Sequence, residues 1–267
     1  MTFVREKIEN QTYFITIDRP ERLNSLGITL AKELTQKLKI AQSNLQKTPK
    51  KWPYRTLVLR ANPISKATAK IWIAGGDLKE LAKLKNKNDG RIYSKLLSDF
   101  CLGLEKLPIP TIACIDGQAI GGGAELALSC DLRFATKDSR FNFKQLQIGL
   151  ATGYGGALRL VNLVGRSQAA NILLLGKHLT AEQALNISLV HEVFPTTAEL
   201  DRRIFEAGKY FAQLHPEAVA AQKAMLYPLQ ESQRTLRSKE TKLFQDLWMN
   251  PAHKAQLERF TAKAQKT

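Results

Sequence analysis

The sequence is poor in the features that would send its reading toward a membrane, a disulfide scaffold or a metal centre. No apolar run approaches the ~18–20 residues that cross a bilayer, so no transmembrane helix is expected. Cysteine is limited to Cys101, Cys114 and Cys130, each among apolar or small neighbours and none in a C-x-x-C pair. A disulfide framework is thereby excluded, and reduced core thiols in a reducing compartment are expected. The four histidines, His178, His191, His215 and His253, never fall at metal-ligand spacing, so no metal site is expected. The opening residues, MTFVREKIENQTYF, lack the apolar stretch of a secretory signal and include acids. A cytoplasmic location is the expectation.

Acidic residues are scarce beside basic ones: 24 Asp and Glu against 40 Lys and Arg give a net charge of +16. Such a balance suits a polyanionic companion, whether nucleic acid, an anionic membrane or a phosphorylated ligand. A plain lysine-rich solvated surface would give the same number. The bases are spread along the chain, with local clusters such as Lys79–Lys87. An arginine-rich tail and an aromatic-interleaved basic strand are both missing, so dedicated RNA recognition is not expected.

What remains is an ordinary globular composition, 44% hydrophobic and 24% charged over 267 residues, ample for a large core. Residues 3–9 and 13–18 read as strands around an Asn10-Gln11 turn. Residues 28–45 carry apolar positions at helical period, and Pro49 and Pro53 follow. Strands are expected at 55–59, 71–73, 111–116, 132–135 and 189–194. Residues 61–70 read as a polar inserted loop. Helices are expected from 77 to 84, then 92–107 after a break at 86–90, and from the second glycine cluster to Cys130. Further helices are expected at 156–164, 167–175 and 181–186, with three or four more after Ala198. Strands and helices alternate over the first two thirds and helices fill the last third, which argues an α/β core with a helical appendage. The division expected is 1–197 and 198–267.

Two segments share one design, an apolar strand, small residues and then a helix. The first is Ile71-Trp72-Ile73-Ala74-Gly75-Gly76-Asp77-Leu78. The second runs from Ile115-Asp116-Gly117 to Gly121-Gly122-Gly123-Ala124-Glu125. Small residues let a ligand reach the backbone, and a helix N-terminus offers unpaired N–H groups. If the two turns converged, each could give one amide to a single oxygen gaining charge. Glycine turns also bind phosphates, but neither the G-x-x-x-x-G-K-[ST] nor the G-x-G-x-x-G pattern is present.

Taken together, these pieces resemble the crotonase (enoyl-CoA hydratase/isomerase) superfamily over nearly the whole chain. The matching segments are Asp18-Arg19-Pro20-Glu21-Arg22-Leu23-Asn24-Ser25-Leu26, Ala74-Gly75-Gly76-Asp77-Leu78-Lys79-Glu80, and Gly121-Gly122-Gly123-Ala124-Glu125-Leu126 with Cys130-Asp131-Leu132-Arg133. Gly153-Tyr154-Gly155-Gly156 and His215-Pro216-Glu217-Ala218-Val219 with Lys223 follow in order.

The resemblance implies an α/β fold, a spiral of ββα units with a C-terminal helical region. A homotrimer or a dimer of trimers is implied, with the helical region as the expected contact. It also implies an acyl-CoA substrate, whose coenzyme A enters with the substrate, so that no separate cofactor is needed. The implied oxyanion hole is made by the amides of Gly76 and Gly122. The loop residues Arg19, Arg22, Leu23 and Ser25, with Ala74, Asp77, Leu78 and Lys79 of the first turn, would lie along the CoA. The two arginines would stand near its phosphates, or else in a solvated loop. Tyr154 would either pack structurally or line the acyl pocket.

Glu125 matches one of the two catalytic glutamates of the family's hydratases. The second matching position holds Gln145, which neither accepts nor releases a proton near neutral pH. Three readings therefore stand at this level. The first is a hydratase-like lyase. The second is a decarboxylase of a short α-carboxyacyl-CoA, since the segment through Gly156 is similar to the ethylmalonyl-CoA decarboxylase branch. The third is a non-catalytic scaffold for acyl-CoA or RNA.

Overall fold

The computed structural model describes residues 2–65, 69–227 and 251–263, together with Ser238, Thr241, Lys242, Phe244, Gln245 and Trp248. Strands β1 (Val4–Glu9) and β2 (Thr12–Ile17) form an antiparallel hairpin. Asn10 and Gln11 both take positive φ, 47° and 56°. Two left-handed residues in a two-residue loop match the twist of the flanking strands.

Helix α1 (Ile28–Asn44) buries Leu30, Ala31, Leu34, Leu38 and Ala41 on one face. Each fully buried leucine there contributes about 2 kcal/mol.

The chain then alternates between two sheets. Strands β3 (Thr56–Ala61), β6 (Thr111–Ile115), β8 (Leu132–Thr136) and β11 (Glu192–Phe194) extend the first sheet in parallel, in the order β1-β2-β3-β6-β8-β11. Strands β4 (Ile64–Ser65), β5 (Lys70–Ile73), β7 (Gln118–Ile120), β9 (Arg140–Asn142) and β10 (Leu179–Thr180) make the second, in the order β10-β9-β7-β5-β4. Helices α2 (Leu78–Leu81) and α3 (Lys87–Lys106) follow β5, α4 (Gly122–Leu128) follows β7, and α5 (Gly156–Leu174) follows β9. These are successive ββα turns of one spiral. The short helix α6 (Ala181–Asn186) opens on a Thr180–Gln183 capping box.

Alternate residues of the first sheet serve two cores. Leu57, Leu59, Ala113, Ile115 and Ala135 belong to the main core. Val58, Ile112, Cys114 and Phe134 face Leu200, Ile204 and Ala207 of helix α7 (Thr197–Gln213). The first helix of the expected C-terminal region thus covers the central sheet. It is followed by α8 (Pro216–Leu226) and α9 (Pro251–Lys263). Of the helix expected between 228 and 250, Ser238, Thr241, Lys242, Phe244 and Gln245 are described and helical, and the rest, apart from Trp248, lies outside the described residues.

Several expectations are corrected. Residues 61–70 include β4, which pairs antiparallel with β5, so part of the supposed loop is a hairpin. The break expected at 86–90 is a helix start: Asn86 caps α3 and Gly90 lies inside it, directly beneath the Trp248 ring. A side chain there would collide with the indole. The two helices expected at 156–164 and 167–175 are present as two segments of α5, parted at Gly165, whose φ of 75° and ψ of 161° are not helical. The helix expected to reach Leu84 ends at Leu81.

Candidate active site

Strands β5 and β7 run parallel, with Ile71 opposite Gln118 and Ile73 opposite Ala119. Parallel pairing makes both strands leave the sheet at the same end, so the two glycine turns emerge side by side. A Cβ on Gly75 would lie 2.8 Å from the Ile120 carbonyl oxygen and 3.5 Å from the Gly122 nitrogen. Gly75 also has φ of 88°, which favours glycine. Gly122 is the first residue of α4, where no earlier carbonyl of the helix can reach its N–H. Among the described residues neither the Gly76 nor the Gly122 amide has a hydrogen-bond partner. Both glycines line a cavity of about 200 Å³.

The first turn is held by the loop before α1. The Leu26 amide donates to the Gly75 carbonyl at 2.6 Å, and the Asp77 amide donates to the Leu26 carbonyl at 3.1 Å. Asn24 bridges the loop to the strand behind it, donating to the Trp72 carbonyl at 2.9 Å.

Arg19 lies inside this junction, 5% exposed. Its Nη1 is 3.0 Å from Asp77 Oδ2, its Nη2 is 2.6 Å from Glu80 Oε1, and Phe3 covers its face at 4.8 Å. The expected phosphate contact is corrected here: the guanidinium is engaged by Asp77 and Glu80, with Glu21 3.6 Å from its Nε, and turned away from solvent. Asp77 is buried and accepts from the Lys79 and Glu80 amides as the N-cap of α2. Ser25 is buried and Leu23 half-buried, while Arg22 is partly exposed and Lys79 exposed. Ala74 and Leu78 line the cavity.

Glu125 stands on the first turn of α4 and is 1% exposed. Backbone amides wrap its carboxylate. Oε2 accepts from Gly153 at 3.1 Å, Tyr154 at 2.8 Å and Gly156 at 3.1 Å. Oε1 accepts from Gln145 Nε2 at 2.8 Å. The carboxylate therefore lies at the N-terminus of α5 as well as near that of its own helix, where partial positive charge favours it. A Cβ on Gly156 would sit 2.5 Å from Glu125 Cγ, so glycine is required there for the carboxylate to fit.

The orientation of Gln145 follows from its neighbour, because an amide oxygen turned toward a carboxylate would be repelled. Among the described residues its Oε1 has no partner. The structure thus brings Glu125 and Gln145, the two positions expected to pair, into contact, one acid and one amide.

Two tyrosines close the cavity above the glycines. Tyr154 donates to the Tyr93 hydroxyl at 2.8 Å, and Tyr93 donates to the Leu26 carbonyl at 2.8 Å. Burial pushes both phenols above the ordinary tyrosine value, so both stay neutral at working pH. Each hydroxyl lies 3.4 Å from the Cβ position of one glycine, Tyr93 at Gly76 and Tyr154 at Gly122. Tyr154 is thereby a lining residue. Phe244 and Trp248 complete an apolar wall with Leu81, Ile148 and Leu150. Among the described lining residues Glu125 is the only carboxylate. No group of His, Cys, Asp and Glu among the described residues could hold a metal.

Sequence reasoning missed Tyr93, Phe244, Trp248 and the role of the Gly153, Tyr154 and Gly156 amides. The cluster Gly153-Tyr154-Gly155-Gly156 before a helix did carry a signal, the same one as the other two glycine turns.

A profile of the family described as Enoyl-CoA hydratase/isomerase matches residues 7–267. The chain belongs to the enoyl-CoA hydratase/isomerase family. It is 34% identical over 187 residues to the enoyl-CoA isomerase/hydratase fer4 of Mycosarcoma maydis, a match covering 68% of this chain and 65% of that protein, just under two thirds of the relative. It is 30% identical over 223 residues to the 2,3-dehydroadipyl-CoA hydratase of Escherichia coli strain K12, covering 84% of this chain and 81% of that one. The crystal structure of enoyl-CoA hydratase from Bacillus halodurans superposes with a TM-score of 0.84 at 26% identity, covering 97% of this chain and all of the other. In this member of the enoyl-CoA hydratase/isomerase family, no helix of the described residues is long and apolar enough to cross a membrane.

Proposed function

We propose that the protein hydrates an α,β-unsaturated acyl-CoA, holding the thioester oxygen as it becomes an enolate. The observation that carries this reading is the pair of unpartnered amides at Gly76 and Gly122 beside the single carboxylate of Glu125. The thioester oxygen accepts both N–H groups. As water adds to the β-carbon, negative charge moves onto that oxygen, and each donor strengthens its bond as the charge grows. One such donor is worth on the order of 100–1000-fold in rate.

Glu125 is the proton carrier. It takes a proton from the attacking water and returns one to the α-carbon, so the double bond becomes a C–OH and a C–H. Each N–H bond to the carboxylate opposes that protonation, since the donor is weakened as the oxygen loses charge. Gln145 cannot share the proton. Its Nε2 steadies Glu125, and its Oε1 is an acceptor for a hydrogen of the water.

The partly exposed Arg22 and the exposed Lys79 are the candidates to meet the CoA phosphates, in keeping with the net charge of +16. The names of similar proteins, hydratases and an isomerase/hydratase of enoyl-CoA, support the same substrate class. A homotrimer or paired trimers and a cytoplasmic location belong to this reading. The strongly exposed Leu174 and Leu175 at the end of α5 suit contact with another copy.

The test presents purified protein with crotonyl-, ethylmalonyl- and methylmalonyl-CoA and reads product masses. A gain of one water on crotonyl-CoA is expected. Loss of carbon dioxide from ethylmalonyl-CoA with crotonyl-CoA untouched would replace hydration by decarboxylation. Binding without turnover of any ester would leave a scaffold.

A further inference from the structure

Behind the strap that holds Glu125 lies a second buried charge pair. Arg159, on the first turn of α5, is 6% exposed, and its Nε donates to Glu105 Oε1 at 2.6 Å. Glu105 belongs to the last turn of α3 and is also buried. The other end of the guanidinium donates from Nη1 to the Tyr154 carbonyl. The same Tyr154 residue donates its N–H to Glu125 Oε2. One residue of backbone is therefore gripped at both ends, by a cation on one side and by Glu125 on the other.

Gly155 completes the device. Its φ is 85°, and a Cβ there would lie 2.7 Å from Arg159 Nη1. Neither Arg159 nor Glu105 lines the cavity. The charges lie in order, Glu105, Arg159, the Tyr154 backbone, Glu125.

We propose that Arg159, fixed by Glu105, is a positioning residue that sets the orientation and the basicity of Glu125 through the Tyr154 backbone. The inference rests on the proposed hydration, in which Glu125 carries the proton. Arg159 pulls on the carbonyl of Tyr154 and polarises the strap, so the neighbouring N–H groups bind the carboxylate more strongly. Its positive charge also favours the ionised carboxylate directly.

The test is a set of variants read by kcat, KM, pH profile and melting temperature. Arg159→Met is expected to lower kcat about 10- to 100-fold while KM stays within about threefold. The acid limb of kcat/KM, which reports the base of the free enzyme, should move to higher pH. The titratable and charged groups around Glu125 are Tyr93, Cys101 and Glu105 on α3, Tyr154 on the strap, Arg159 on α5, and Lys144 at the cavity. Burial holds Tyr93, Tyr154 and Cys101 far above that limb.

The double change Glu105→Leu with Arg159→Met removes both buried charges and should restore the melting temperature. The rate should stay low. Recovery of the rate along with stability, or an acid limb unmoved in Arg159→Met, overturns the proposal. Should Arg159→Met not fold, Glu105→Gln keeps the hydrogen bond to Arg159 and drops a negative charge, so the limb should shift the opposite way, to lower pH. A wild type inert on every acyl-CoA would sink the hydration instead. Carbon-13 NMR titration of the Glu125 carboxyl in wild type and Glu105→Gln then decides positioning alone: a displaced titration supports it and an identical one overturns it.

Discussion

The side-chain amide of Gln145 donates from Nε2 to Glu125 Oε1 at 2.8 Å, with both side chains buried. Gln145→Glu would turn that bond into two carboxylates sharing one site. Like charges at this distance cannot both ionise, so the pair keeps a proton to a pH well above the unfolded value of about 4.3. The sign follows from linkage. A raised folded value gives stability at low pH that is lost as pH rises through it. The variant should therefore match wild type near pH 5 and fall behind it toward pH 9 in urea titrations. Crotonyl-CoA hydration should rise, since a positioned acid is worth roughly 100–10000-fold. An unchanged rate at every pH would show that this position takes no part.

Gly122→Pro removes an amide without asking the helix for anything it does not tolerate, because proline is accepted at the first helical position. The added ring atoms must also displace Tyr154, whose Cε2 would be 2.7 Å from the new Cβ. Turnover should fall by about 100–1000-fold with the circular dichroism spectrum retained. Near-native turnover in a folded variant would show that Gly122 is not a donor.

Arg19→Met separates a structural arginine from a phosphate contact. Its guanidinium is buried against Asp77 and Glu80, so its loss leaves acids uncompensated. The destabilisation should be about 3 kcal/mol by urea denaturation. The salt dependence of acyl-CoA binding should be unchanged. Arg22→Ala, at a partly exposed side chain, should reduce that dependence with little effect on stability.

His191 carries a testable pH dependence far from the cavity. Burial, with the Arg133 charge beside it, lowers its pKa from 6.5 to about 4. Its Nδ1 accepts from the Arg133 amide at 3.2 Å, which requires the neutral ring. A depressed folded value contributes stability above about pH 6.5 that is lost as pH falls through 4. The ring is only half-buried, so screening reduces the effect to the order of 1 kcal/mol. The stability difference between wild type and His191→Gln should shrink between pH 7 and pH 4, and a constant difference would remove His191 from the acid response.

Much of the site was legible because glycine has few uses. The Gly75-Gly76 and Gly121-Gly122 turns stand out against apolar strands, and Glu125 follows from the second. Strands β7 and β9 were not legible, being three residues long and stable only through pairing with distant neighbours. Arg19 reads as a free base until Phe3, Asp77 and Glu80 are seen to converge on it from separate segments. Tyr93 sits on an amphipathic helix, where an inward aromatic reads simply as core. Its hydroxyl acquires meaning only once Leu26 and Tyr154 are brought to it.

The groups that handle negative charge at this site, the amides of Gly76 and Gly122 and of Gly153, Tyr154 and Gly156, belong to the main chain. Substitutions can crowd such donors or bend them away, but proline alone deletes one. The side chain at 145 stands under no such constraint, because a single codon decides whether Glu125 has an acid or an amide beside it. A lineage on this scaffold can therefore retune where protons go while the anchoring of the thioester oxygen is inherited intact. New reactions become reachable by few steps, none of which dismantles the old hold on the substrate.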